Sequence, residues 1–332
     1  MTLRPNRLVL PLLTLLGTAL LLPAKAAPGI DPFYAGSYSI IFNGAAGDVT
    51  ASYGGLTFKA GDANTLLLMG SANTGSGTLN AVSVIRGAGN HITGFGALST
   101  LFATAANNDG GLVYAPNGTL LYTRYPTNEL GQIKPGSSTT DKVVNLSTLS
   151  PNSVSGIVGT LQYVPAGFGG AGKLKIISYS SSNWYDATLT DDGLGTYDIS
   201  VSPSVANVGS GPEGLVYVNS SNPLFSANSL LLSEYGANKV TAYEADANGN
   251  PVAGTARNFV TGLTGAEGGT IDPLTGDFVF STFGANNSIV VVSGFVAPEA
   301  AATPEPGTVA LLFSLGSLGA CALRRRRSRR VA

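Results

Sequence analysis

The chain is nearly devoid of cysteine and histidine, and it carries little charge. Its one cysteine, Cys321, lies close to the C-terminus of the 332 residues. Everything before it therefore cannot be a disulfide scaffold, a zinc–thiolate site or a thiol enzyme. His91 is the single histidine, which excludes multi-histidine metal sites of the zinc-hydrolase type. It sits in GAGNHITGFG, a Gly-rich stretch, and reads as an exposed turn residue rather than a catalytic base. No Gly-x-Ser-x-Gly stands between a strand and a helix, so a serine nucleophile on an elbow is not indicated. Helix signals are missing as well. No segment of residues 28–296 combines a 3.6-residue apolar period with caps.

What is present is glycine (44 residues), 44% hydrophobic residues and only 11% charged ones. Short runs of Leu, Val, Ile, Tyr and Phe are punctuated by turn sequences such as Pro116-Asn117-Gly118, Asp246–Asn250 and Asp272-Pro273-Leu274-Thr275-Gly276. This pattern predicts an all-β body of many short strands.

The two ends read as addresses. Arg4 and Arg7 precede an apolar run, Leu8–Leu22, followed by Ala24-Lys25-Ala26. Residues 1–26 thus have the layout of a secretory signal peptide, cut by signal peptidase. Between the two ends, residues 27–303 hold 9 basic and 18 acidic residues. An acidic exported body argues against nucleic acid, whose affinity comes from Lys and Arg on phosphates, and it suits cations.

At the other end, residues 297–303 form a linker. Pro304-Glu305-Pro306 follows, then the apolar run Gly307–Leu323, then Arg324, Arg325, Arg326, Arg327, Arg329 and Arg330. The apolar run would make about 25 Å of helix, the lower limit for crossing a bilayer. Arginines behind it would stay on the cytoplasmic side. The two prolines keep the motif extended, as a processing enzyme needs. This ordered triplet resembles the PEP-CTERM sorting signal of Gram-negative bacteria. The resemblance implies an exosortase, a membrane transpeptidase, as partner. Pro304, Glu305 and Pro306 would be its recognition motif and the arginines a stop-transfer signal. It also implies an association with exopolysaccharide and biofilm, with the protein transiently anchored and then carried to the cell surface or beyond.

The body repeats. GPEGLVYVN…NSLLLSEYGANKVTAYEAD from Gly211 matches GAEGGTIDPLTGDFVFSTFGANNSIVVVSGF from Gly265. Weaker copies begin near Tyr53, Asp109 and Val158. Taking Gly55, Gly111, Gly159, Gly214 and Gly268 as equivalents gives spacings of 56, 48, 55 and 54. A period near 50 with four strands predicts β-propeller blades, five or six of them, with a β-sandwich as the alternative. The last repeat shows three strands and needs a fourth from Phe33–Gly44. The PEGLVY-type strand resembles NHL-repeat proteins, streptogramin-lyase-like proteins and gluconolactonases.

Three repeats carry an acid at the start of the inner strand: Asp109, Glu213 and Glu267. Tyr53 and Ile157 stand at the corresponding place in the other two. In a propeller the three carboxylates would converge on the axis, an all-oxygen set suited to Ca²⁺. Gluconolactonase-type propellers hold a divalent ion in this region, as the resemblance implies. Trp184-Tyr185 reads as a turn whose aromatics could meet sugar rings, and Asp191-Asp192-Gly193 as an acidic turn. Two functions are therefore expected: a non-catalytic binding module on an exported, sorted protein, or a Ca²⁺-dependent propeller hydrolase or lyase of lactonase type.

Overall fold

The computed structural model describes residues 27–284 and 287–297. The segments expected to be a signal peptide (1–26) and a sorting tail (304–330), and the expected linker 297–303 after its first residue, lie outside the described residues. Among the described residues no helix is long and apolar enough to cross a membrane.

Five antiparallel sheets follow one another along the chain. Blade one comprises Leu56–Lys59, Asp62–Gly70, Thr78–Arg86 and Ile92–Thr104. Blade two comprises Asn108–Tyr114, Leu120–Arg124, Glu129–Ile133 and Lys142–Asn145. Blade three comprises Val158–Tyr163, Leu174–Ser178, Asn183–Asp191 and Tyr197–Val201, with Ala206–Asn207 added beside Asn183. Blade four comprises Pro212–Val218, Ser229–Glu234, Lys239–Glu244 and Arg257–Thr261. Blade five comprises Ala266–Ile271, Phe278–Thr282 and Ile289–Ser293, and its fourth strand is the N-terminal Ser39–Gly44, paired antiparallel to Ile289–Ser293. The molecule is thus a five-bladed propeller, neither six-bladed nor a sandwich. The Phe33–Gly44 segment supplies the missing strand, and Gly29–Ile30 also extends blade four.

Alternation explains the packing. Successive side chains of a strand point to opposite faces, and a blade has a neighbour on each face. In Asp62–Gly70, Leu66 and Leu68 pack against blade five while Leu67 and Met69 pack against blade two. Phe278 and Phe280 face blade four, and Val279 faces blade one. Five apolar clusters result, each filling one seam between adjacent blades. Every such fully buried side chain contributes roughly 1.5–3 kcal/mol of burial. Blade centres therefore read as continuous hydrophobic runs, unlike strands with one wet face.

Asparagines clasp the seams. Asn128 Oδ1 accepts from Val158 N (2.9 Å) and Asn238 Oδ1 from Gly265 N (2.9 Å). Asn287 Oδ1 accepts from Ser52 N (2.7 Å) and Tyr53 N (3.1 Å), joining the last blade to the first. Each reaches from the second hairpin of one blade to the start of the next blade's inner strand.

Trp184 and Tyr185 lie inside a strand and are buried, not at an exposed turn. They fill two different seams, which removes them as sugar contacts. Asp191-Asp192-Gly193 closes a hairpin, where Asp192 accepts from Lys142 Nζ at 2.8 Å.

Candidate functional site at the axis

Each inner strand is approached through one left-handed residue: Ser52, Asn107, Gly156, Gly211 and Gly265, with φ of 68°, 60°, 78°, 61° and 61°. Two residues later stand Gly54, Asp109, Val158, Glu213 and Glu267. The counterparts of the three acids are therefore Gly54 and Val158, not Tyr53 and Ile157. By the same register Gly110, not Gly111, is the partner of Gly55, Gly159, Gly214 and Gly268. The comparison slips by one at the doubled glycines, because Asp109 is followed by both Gly110 and Gly111.

Those five glycines close the axis. A Cβ on Gly110 would lie 2.1 Å from the Glu213 carbonyl oxygen, and one on Gly268 would lie 2.7 Å from Gly55 Cα. Only a residue without a side chain lets the strands approach so closely. The inner strands start at the carboxylates on one side of this constriction and end on the other. There, Thr57, Tyr114, Tyr163, Tyr217 and Ile271 line a cavity of about 330 Å³.

Asp109, Glu213 and Glu267 do converge. One oxygen from each lies within 4.8 Å of the others, and all three residues are buried, at 1%, 3% and 1% exposure. The Asn73 amide, with its nitrogen turned inward, donates to Asp109 Oδ1 at 2.9 Å. Among the described residues no other side chain or backbone group completes Asp109 Oδ2 and Glu213 Oε2, which are left to share protons within the carboxyl cluster. Buried carboxylates with so few donors resist ionisation. Burial pushes Asp109 up to about 8. It pushes Glu213 well above the usual carboxylate range, and repulsion from Asp109 and Glu267 adds to this. Glu267 is raised in the same way, by burial and then by Asp109.

Around this acidic floor stands a rim that the sequence reading missed. The second strands of blades two to five run out into Tyr125, Tyr179, Tyr235 and Phe283, each half-exposed. Blade one has Ser71 there. Neighbouring rings meet edge to face. The centroid distance is 6.0 Å for Tyr125–Tyr179, 6.0 Å for Tyr179–Tyr235 and 6.1 Å for Tyr235–Phe283. The rings of Tyr179 and Tyr235 lie against Gly211 and Gly265 at the start of the following blade, where a Cβ would come within 2.8 and 3.0 Å of them. Both phenols have raised pKa values. Burial is the main cause, and the nearest carboxylates, Glu213 for Tyr179 and Glu267 for Tyr235, add to it. Rim and floor thus share one electrostatic environment. A sequence signature existed: Thr123-Arg124-Tyr125, Ser233-Glu234-Tyr235 and Ser281-Thr282-Phe283 repeat a hydroxyl residue, a spacer and an aromatic.

His91 is not part of this site. Its Nδ1 lies 2.7 Å from Asp277 Oδ2 in the seam between blades one and five. It is half-exposed, as expected of a turn residue, but it has a buried partner.

No family model matches the chain, and no curated protein matches it. Solved structures of similar architecture include the PQQ domain of pyranose dehydrogenase from Coprinopsis cinerea, at 10% identity and TM-score 0.43 over 81% of this chain and 98% of that one. A protein described as a gluconolactonase candidate is 10% identical, with TM-score 0.42 over 79% and 94%. An auxiliary nutrient binding protein from Bacteroides ovatus is 10% identical, with TM-score 0.40 over 76% of each chain.

Proposed function

We propose that the chain is an exported protein of the cell surface or extracellular matrix, sorted by an exosortase, whose propeller is a non-catalytic binding module with its ligand site at the axial cup. The cup takes a cation. The observation that carries this reading is the set of three buried carboxylates, two of whose oxygens have no partner among the described residues. Such groups are costly unless a cation or a donor completes them. The sorting reading rests on the ordered motif Pro304-Glu305-Pro306, apolar run and arginine cluster, and the link to exopolysaccharide rests on the same resemblance.

A second reading, a Ca²⁺-dependent hydrolase or lyase, is favoured by one distance. Two oxygens on a single Ca²⁺ stand at most about 4.8 Å apart, twice a Ca–O distance of about 2.4 Å, and the cup's oxygens fall within 4.8 Å. Asp109, Glu213 and Glu267 would hold the ion, which would polarise a bound oxygen. Calorimetric titration of the purified chain with CaCl₂ tests the cup. Saturable binding that disappears in Glu213→Gln supports a cation site. No heat in Ca²⁺ or in the organic cations used below overturns it. Lactone hydrolysis that depends on Ca²⁺ and on Glu213 would move the protein to the second reading.

A further inference from the structure

We propose that the cation taken by the axial cup is an alkylated ammonium group, caged by Tyr125, Tyr179, Tyr235 and Phe283 above the carboxylates of Asp109, Glu213 and Glu267. This rests on the reading of the cup as a cation site.

The geometry of the rim is the main argument. Its rings meet at interplanar angles of 88°, 73° and 70°. Rings standing upright around a fivefold axis meet at about 72°, whereas rings lying flat across it would be parallel. The aromatics are therefore walls, not a lid or a flat platform. Four corners of a regular pentagon with 6 Å edges lie about 5 Å from its centre, inside the roughly 6 Å reach of a cation–π contact. A single positive group on the axis thus stands within reach of all four ring centroids. Ser71 leaves the wall open over blade one, where the rest of a ligand can leave the cup.

Composition of the rim is the second argument. An inorganic ion draws on oxygens, and Phe283 has none to give. What blades two to five share at this position is an aromatic ring, with or without a hydroxyl. Beneath it stand the buried, unpartnered oxygens of Asp109 and Glu213, which become negative on the same axis when a cation displaces their protons. Aromatic walls with an acidic floor match a cation whose surface is alkyl. Such a group is weakly hydrated and gives up little on leaving water.

The test is calorimetric titration of the purified chain with tetramethylammonium chloride, with neopentyl alcohol as a neutral probe of the same shape, and with CaCl₂. Tetramethylammonium is expected to bind at least about tenfold more tightly than the alcohol. Tyr235→Leu should weaken it by about 3- to 30-fold, Tyr235→Phe should retain it, and Glu267→Gln should weaken it strongly. Equal binding of the alcohol overturns the cation claim. Binding that Tyr235→Leu leaves unchanged, or Ca²⁺ binding with no response to tetramethylammonium, overturns the cage and leaves the cup as an inorganic site. No response to either cation removes both readings.

Discussion

Arg86 and Asp272 face each other across the seam that closes the ring. The Arg86 guanidinium donates to Asp272 Oδ2 at 2.6 Å and to Oδ1 at 3.0 Å. It also donates to the carbonyls of Asn90 and Ala63, both at 2.6 Å, and to Asn64 Oδ1 at 2.9 Å. Asp272 is fully buried on the turn between the first two strands of blade five. Removing one partner of a buried pair strands the other charge, at a cost of about 3–5 kcal/mol. Arg86→Ala is expected to lower stability by that amount in urea denaturation. Arg86→Met with Asp272→Leu, which removes both charges, should recover much of the loss. If the single and double variants are equally unstable, the pair's charges do not account for the cost.

The acidic cup should make stability and cation binding respond to pH in opposite directions. All three carboxyls are raised in the folded state, Asp109 to about 8. The unfolded chain releases these protons from about pH 4 upward. The folded chain keeps them longer, so without cation its stability falls as pH rises from about 4 to about 8. A cation that displaces the protons should raise the melting temperature more at pH 8.5 than at pH 5. Glu213→Gln should melt higher than wild type at pH 8.5 without added cation, and should no longer respond to it. An equal shift at both pH values, or a destabilised Glu213→Gln, would contradict this assignment.

The blades were legible because their punctuation is local. Gly118, Gly249 and Gly276, chosen as hairpin turns from their neighbours alone, all have positive φ. Asp109, Glu213 and Glu267 could be picked out because each precedes a glycine at a fixed place in its repeat. Their exact counterparts in the other blades could not, since Asp109 is followed by two glycines and either Gly110 or Gly111 can be matched to the glycine of the other repeats. The rim stayed hidden for a related reason. Its members sit at the ends of second strands, and blade three lacks the spacer, with Ser178 directly before Tyr179. Trp184 was misplaced because SYSSSN before it reads as a long polar loop. The strand in fact begins at Asn183, and the indole Nε1 donates to Val208 O at 3.1 Å.

Lys175 and Asp186 make a different buried pair, on adjacent strands of blade three, with Asn250 of blade four beside it. Lys175 Nζ donates to Asp186 and, at 2.6 Å, to Asn250 Oδ1. Burial holds the lysine's pKa below its usual value despite the carboxylate beside it. Asp186 is also lowered, because Lys175 and Lys173 together outweigh its own burial. The two directions imply different balances for the same contact. The lysine is fully enclosed and Asp186 keeps a quarter of its side-chain surface, so desolvation of the ammonium is the decisive cost. Lys175→Met should therefore be neutral or stabilising, while Asp186→Ala, which leaves the ammonium without its carboxylate, should destabilise by about 2 kcal/mol or more. Asp186 contributes stability above about pH 4 that is lost as pH falls through its lowered folded value. The acid limb of a pH–stability curve should flatten in Asp186→Asn, and an unchanged limb would show that this carboxylate does not govern it.

The tail can be tested apart from the propeller, by mass. If residues 304–330 are a sorting signal, intact mass spectrometry of protein recovered from the cell surface or medium should find a chain beginning near Ala27 and ending near Pro304. The six arginines would hold Gly307–Leu323 in the inner membrane until the transpeptidase cuts, because arginine at a bilayer's centre costs about 2.5–3.5 kcal/mol on insertion scales. Glu305→Ala, or deletion of Arg324–Arg330, should leave uncut or misplaced protein, with the cation affinity of the propeller unchanged. Wild-type protein that keeps Gly307–Ala332 in its final location would instead make the tail a permanent anchor, and the matrix reading would then fail while the axial cup stood.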